Sequence, residues 1–295
     1  MKPEINFNRK FEPKGNKVLH GAGQSFETFS NYWNAVGDYK PVIYMEYIRV
    51  DEVKQKFQNK IKKMLEISKN LMPQIGLNLK SRSKGAICKE VSEGEYDSEI
   101  IFFIKVLKEI KNPSFIRIGY EFDAKGKYNS KDFVDTWKHI TDLIKKNEGY
   151  NIATVWCACP YNGTESVEPY YPGDDYVDWF GIDVFSARYF KNYSPIEDFL
   201  ELAKTHKKPV MVGESSPAKT GVDKGEESWD EWFNPYFKWI HAHPIIKAFC
   251  YINWDWGKDW KQPEWLNGRI EENEEVRKRY IKELSKPVYI HNKLK

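Results

Sequence analysis

Cysteine is scarce in this chain. Its four residues, Cys88, Cys157, Cys159 and Cys250, contain no C-x-x-C pair, which excludes a disulfide scaffold and a cysteine zinc site. Net charge is scarce as well. The 46 basic and 43 acidic residues leave +3, scattered along the chain, arguing against a nucleic-acid binder or a polybasic membrane-surface protein. No run of about 18 apolar residues exists, so no membrane-spanning helix is expected. Residues 1–6 lack the apolar stretch of a secretory leader. The expectation is a soluble protein, either cytoplasmic or exported after removal of a leader.

Cofactor and metal signatures are also missing. Gly21-Ala22-Gly23-Gln24 lacks the third glycine and, on this reading, the following helix of a dinucleotide fingerprint. No G-x-S-x-G elbow is present for a serine hydrolase. The six histidines include His241-Ala242-His243, but residues two apart do not share a helical face, so no zinc is expected. Asp174, Asp175, Asp178 and Asp183 lack the alternation of a calcium loop. Cys157 and Cys159 are read as facing opposite sides of one strand, unable to bridge. No cofactor and no metal are expected.

What is abundant is aromatic surface: 11 Trp, 18 Tyr and 17 Phe, in a chain whose mean hydropathy is −0.69. Short apolar, β-branched or aromatic runs recur at residues 17–20, 41–47, 72–78, 114–121, 152–157, 177–185, 209–214 and 246–254. Amphipathic helical patterns lie between them, at 51–68, 98–110, 130–146, 195–204 and 228–241, with a charged final helix at 272–284. Ser98, Ser130, Ser194 and Ser228 are candidate N-caps. Eight strands alternating with helices predict an α/β fold, a single (β/α)8 TIM barrel spanning residues 1–295 as one catalytic domain.

Barrel active sites form at the C-terminal strand ends. Those ends carry His20, Glu46, Tyr120, Glu121, Asp183, Phe185, Glu214, Asn253, Trp254 and Asp255. Glu121 and Glu214 end strands four and seven, which face each other across the mouth. Two converging carboxyls suit glycoside hydrolysis, one protonated to release the leaving oxygen and the other ionised. Aromatic platforms suit the apolar faces of sugar rings. Trp254 is the favoured platform. Trp256, Trp260 and Trp265 lie in the loop behind it; Tyr161, Tyr170, Tyr171 and Trp33 are in other loops. Trp137, Trp179 and Trp239 read as core. His20, Glu46, Asn253 and Asp255 are candidate hydroxyl partners. Arg117, inside strand four, is expected to pair with Glu214 or Glu46.

The stretch Ile116-Arg117-Ile118-Gly119-Tyr120-Glu121-Phe122 resembles the strand-four motif of clan A glycoside hydrolases, most closely family 26, the β-mannanases and relatives. Residues 171–185 and Lys208-Pro209-Val210-Met211-Val212-Gly213-Glu214 resemble the same family at strands six and seven. The resemblance implies that Glu121 is the acid/base and Glu214 the nucleophile of a retaining, endo-acting enzyme. Tyr120 stands where the family has His, and Phe185 where it has Tyr, marking a divergent member. The implied substrate is a β-linked polysaccharide or oligosaccharide: β-mannan first, then β-glucan or xylan. A barrel that binds carbohydrate without cleaving it is the alternative. The partner is carbohydrate alone, with no nucleic acid or membrane, and the chain is expected to be a monomer.

Overall fold

The computed structural model describes residues 4–160, 165–191 and 193–292. Eight parallel strands close into a barrel: β1 (Val18–Gly23), β2 (Ile43–Arg49), β3 (Met72–Asn78), β4 (Ser114–Ile118), β5 (Ile152–Ala158), β6 (Trp179–Val184), β7 (Val210–Ser215) and β8 (Ile246–Ile252). Each pairs with its sequence neighbour, and β8 returns to β1 with Leu19 opposite Ala248. The fold is a (β/α)8 TIM barrel. A two-residue strand, β9 (Tyr289–Ile290), adds to β1 at Val18 and Leu19.

The surrounding helices are α1 (Phe26–Ala35), α2 (Gln58–Ile67), α3 (Asp97–Ile110), α4 (Ser130–Lys146), α5 (Ser194–Thr205), α6 (Asn234–Ala242) and α7 (Glu274–Leu284). Helix α1 follows the first strand directly, contrary to the expectation of none; the Ser25 hydroxyl caps it by accepting from Thr28 N–H. Asn129, not Ser130, caps α4 by accepting from Asp132 N–H at 3.1 Å. Among the described residues, β5 and β6 are joined by short 3₁₀ turns without an α-helix. No helix among them is long and apolar enough to cross a membrane.

Strand alternation splits the core into two layers. Phe115, Val155, Trp179, Met211 and Ala248 point into the barrel, while Ile116, Ile118, Trp156, Phe180 and Val212 meet the helices. The Val, Ile, Phe and Met side chains among them each contribute roughly 1.5–3 kcal/mol by burial. The N-terminal segment closes the bottom. Phe11 packs edge-on to Phe115 at 5.8 Å, and the Trp179 indole N–H donates to Lys10 O at 2.7 Å. The opposite end stays open.

Candidate active site

Alternation along β4 turns Arg117 inward, between outward-facing Ile116 and Ile118. It is fully buried. Its Nη2 lies 2.9 Å from Glu214 Oε1 and also contacts Asp183 Oδ2, while Nη1 donates to Tyr47 Oη at 3.2 Å. Glu214 reaches this position because β7 carries one extra residue. Opposite β6, Ile182 pairs with Val212 and the next residue, Asp183, pairs with Glu214. The bulge at Gly213 re-aims Glu214 from the helix side to the mouth. Nothing larger than glycine fits there: a Cβ would lie 2.7 Å from Asp183 Oδ1 and 2.9 Å from Arg117 Nε.

Beyond β4 the chain turns sharply, with Gly119 at φ +56° and Glu121 at +51°. A glutamate in the left-handed region is held against its own preference. The Glu121 N–H donates to Cys157 O at 2.8 Å, and Lys127 Nζ donates to Tyr120 O at 2.6 Å. The same ammonium is 3.6 Å from Glu121 Oε2. Burial raises the Glu121 pKa, and the charge of Glu214 adds to it; Lys127 and Arg117 pull the other way. Burial likewise pushes Asp183 upward, opposed by Arg117. Glu121 is therefore biased toward its neutral acid, while Glu214 lies directly against the Arg117 cation. That is the division of labour an acid and a nucleophile need.

Both glutamates open into a cleft of about 660 Å³ with two unlike walls. One is aromatic: Phe185, Trp254, Trp256, Trp260 and Trp265. Trp254 stacks on Trp260 at 5.5 Å, and Trp256 meets Trp265 at 4.7 Å. Hydrogen bonds aim the rings, from Trp254 Nε1 to Gln24 O (3.1 Å) and from Trp256 Nε1 to Ser216 Oγ (2.9 Å). The other wall, from the end of β2, the helical turns and the start of α2 that follow it, and the end of β3, carries Arg49, Glu52, Lys56, Lys60, Asn78 and Lys80.

The sequence-predicted residues divide accordingly. Tyr120, Glu121, Phe185, Glu214, Trp254 and Trp256 line the cleft, and Arg117 lies beneath it, on Glu214 and Asp183 instead of Glu46. His20, Glu46, Asn253 and Asp255 do not line it. His20 is buried against Tyr32 (2.6 Å) and His291 (3.1 Å). The Glu46 carboxylate takes Lys60 Nζ at 2.9 Å and Tyr47 N–H at 2.8 Å. Asn253 donates to Glu271 at 2.8 Å. Asp255 caps the short helix Trp256–Trp260 and pairs with Lys258. Tyr161 lies outside the described residues. Tyr170 and Tyr171 pack around Phe122 and Trp156, and Trp33 packs beside Phe29. Cys157 and Cys159 share one face, as residues two apart must; both sulfurs approach Asp183. The described residues contain no group of three or more metal-ligating side chains.

Residues 107–238 match Glycosyl hydrolase family 26, a span holding Arg117, Glu121, Asp183, Phe185 and Glu214. The β-1,3-xylanase TXYA of Vibrio sp. is 26% identical over 311 residues, covering 93% of this chain and 66% of that protein. A β-1,3-xylanase of Alcaligenes sp. is 27% identical over 251 residues, 76% of this chain and 53% of the other. The chain thus spans between half and two thirds of these relatives. Over residues 107–238 the chain is similar to glycosyl hydrolase family 26. Its barrel superposes on a family 26 β-mannanase of Bacteroides ovatus with a TM-score of 0.64, at 15% identity, covering 94% of this chain and 88% of that one. What sequence reasoning missed in this chain is cationic. Lys127 sits behind the acid/base candidate, and Arg49, Lys56, Lys60 and Lys80 form a whole wall. The one available signal was Lys56 and Lys60, four apart and hence on one helical side.

Proposed function

We propose that this chain hydrolyses a β-linked glycan by double displacement, with Glu214 attacking the anomeric carbon and Glu121 protonating the leaving oxygen. Glu121 then deprotonates the water that releases the product. The observation carrying this reading is that one buried arginine touches Glu214, while Glu121, across the same cleft, is shifted toward its protonated form. Phe185 has no hydroxyl to offer Glu214, so Arg117 supplies its orienting contact.

β-1,3-Linked xylan is the first substrate to try, ahead of the β-mannan suggested by the motifs. Proteins named β-1,3-xylanases align with as much as 93% of this chain, whereas the solved mannanases share the fold at 12–16% identity. Internal cleavage of the glycan chain is part of this reading.

The test is hydrolysis of a panel of β-1,3-xylan, β-1,4-xylan, β-mannan and β-glucan, with the anomer of the first product followed by proton NMR. Initial release of the β-anomer is expected. An initial α-anomer would remove Glu214 from the nucleophile's role, and binding without any released reducing end would leave a carbohydrate-binding barrel.

A further inference from the structure

The two cleft walls differ in charge as well as in shape. Phe185, the four tryptophans and Gln262 give one wall no ionisable group. Across from it, Glu52 alone is shared by three cations: Arg49 Nη2 at 2.8 Å, Lys56 Nζ at 2.5 Å and Arg82 Nη2 at 3.3 Å. Asp51 takes the other face of Arg49 at 3.1 Å, and Glu46 takes Lys60. Lys80 has no carboxylate within 4 Å among the described residues, yet it lines the cleft. Five cations therefore stand beside three carboxylates.

The arrangement is oriented. The Glu52 side chain is 15% exposed and the Lys56 side chain 46%, so the acid lies below and the ammonium above it. Three cations around one carboxylate repel one another, and a further anion arriving from the cleft side would relieve that repulsion. A neutral sugar offers no such partner. Hydroxyl groups are bound as well by Asn, Asp or Glu, and of these Asn78 and Glu52 alone line this wall.

From this we infer that the cleft takes a β-glycan carrying anionic groups, carboxylates or sulfate esters, on sugars held against Arg49, Lys56, Lys60 and Lys80. The inference rests on the hydrolase reading of the same cleft and adds the charge class of its substrate. The aromatic wall would hold ring faces, while the cationic wall would hold the substituents.

The experiment compares neutral β-1,3-xylan with its carboxymethylated and its sulfated derivatives, using the unaltered protein and the double variant Lys56→Gln/Lys80→Gln. The ratio of kcat/KM on acidic to neutral polymer is expected to be about tenfold in the unaltered protein at low salt. Raising salt from 50 to 500 mM should bring it toward one, as the double variant should at either salt. Whichever derivative shows the larger ratio names carboxylate or sulfate. Equal rates on acidic and neutral polymers at low salt would overturn the inference, and so would a preference surviving both salt and substitution. If no polymer is hydrolysed, the hydrolase reading falls, and affinity electrophoresis through gels containing each polymer decides the charge question without turnover. Retardation by acidic glycan that the double variant loses supports the inference; equal retardation by all polymers ends it.

Discussion

The two walls facing each other across Glu121 and Glu214 are built by different physics. The aromatic wall comes almost entirely from one loop after β8. Its rings pack on one another, and the loop is braced by Arg269 against both oxygens of Asp259 at 3.0 Å. The cationic wall comes from the end of β2, the turn leading into α2, the start of α2 and the segment after β3, and shared carboxylates tie together only part of it. Dispersion and shape make the first wall rigid even when empty. Long, partly exposed cations make the second adaptable and sensitive to salt. A substrate would therefore be positioned by one wall and selected by the other.

The largest effects should come from the groups both walls serve. Glu121→Ala should lower kcat/KM by roughly 10²–10⁴-fold. Glu214→Ala should lower it at least as much, with azide restoring turnover of an activated aryl glycoside at a defined anomeric outcome. Turnover of such a glycoside unaltered in Glu214→Ala would show that the walls converge on a different centre.

Removing the cation beneath the cleft comes next. Arg117→Leu leaves Asp183 and Glu214 buried without their counter-charge and should destabilise the fold by about 3–5 kcal/mol in urea titration. A midpoint equal to that of the unaltered protein would show that the arginine's charge is not needed to keep the two acids buried.

Trp254→Ala attacks the aromatic wall alone. It should weaken capture of neutral and acidic glycans alike by about 2 kcal/mol, some thirtyfold in Kd by calorimetry. A loss confined to acidic glycans would reverse the roles assigned to the two walls.

The smallest effect concerns pH. Glu121 must be protonated to act as the acid, so activity falls as pH rises through its pKa. Burial and then Glu214 raise that pKa, whereas Lys127 lowers it. Lys127→Met should accordingly move the basic limb of the kcat/KM profile to higher pH, and Lys127→Arg should hold it in place. A shift to lower pH in Lys127→Met would exclude this charge effect.

Much of the architecture was legible because strand and helix periods differ. The runs from 72–78 and 152–157 became strands almost residue for residue, and α4 occupies 130–146 as its pattern predicts. Residue order could not tell which way a strand-end side chain turns. Glu214 faces the mouth through a bulge whose extra residue is visible only against β6 and β8. His20, which proves to lie inside β1 and not at its end, and Asn253, just past β8, turn into the helix layer and the loop behind it, where Tyr32 and Glu271 satisfy them. The Arg117 partner was narrowed to Glu214 or Glu46; the barrel's closure brought Glu214 and Asp183 within reach and left Glu46 to Lys60.

By itself, then, the sequence determined the barrel, the two carboxylates that end β4 and β7, and the supply of aromatic rings, all of which follow from local period and residue chemistry. The tertiary structure decided which rings face the cleft, which acid shares the arginine, and that cations separated in sequence form one wall. Those outcomes depend on bulges, on loops folding over the barrel and on contacts between distant strands, and none of these is written in any short stretch of the chain.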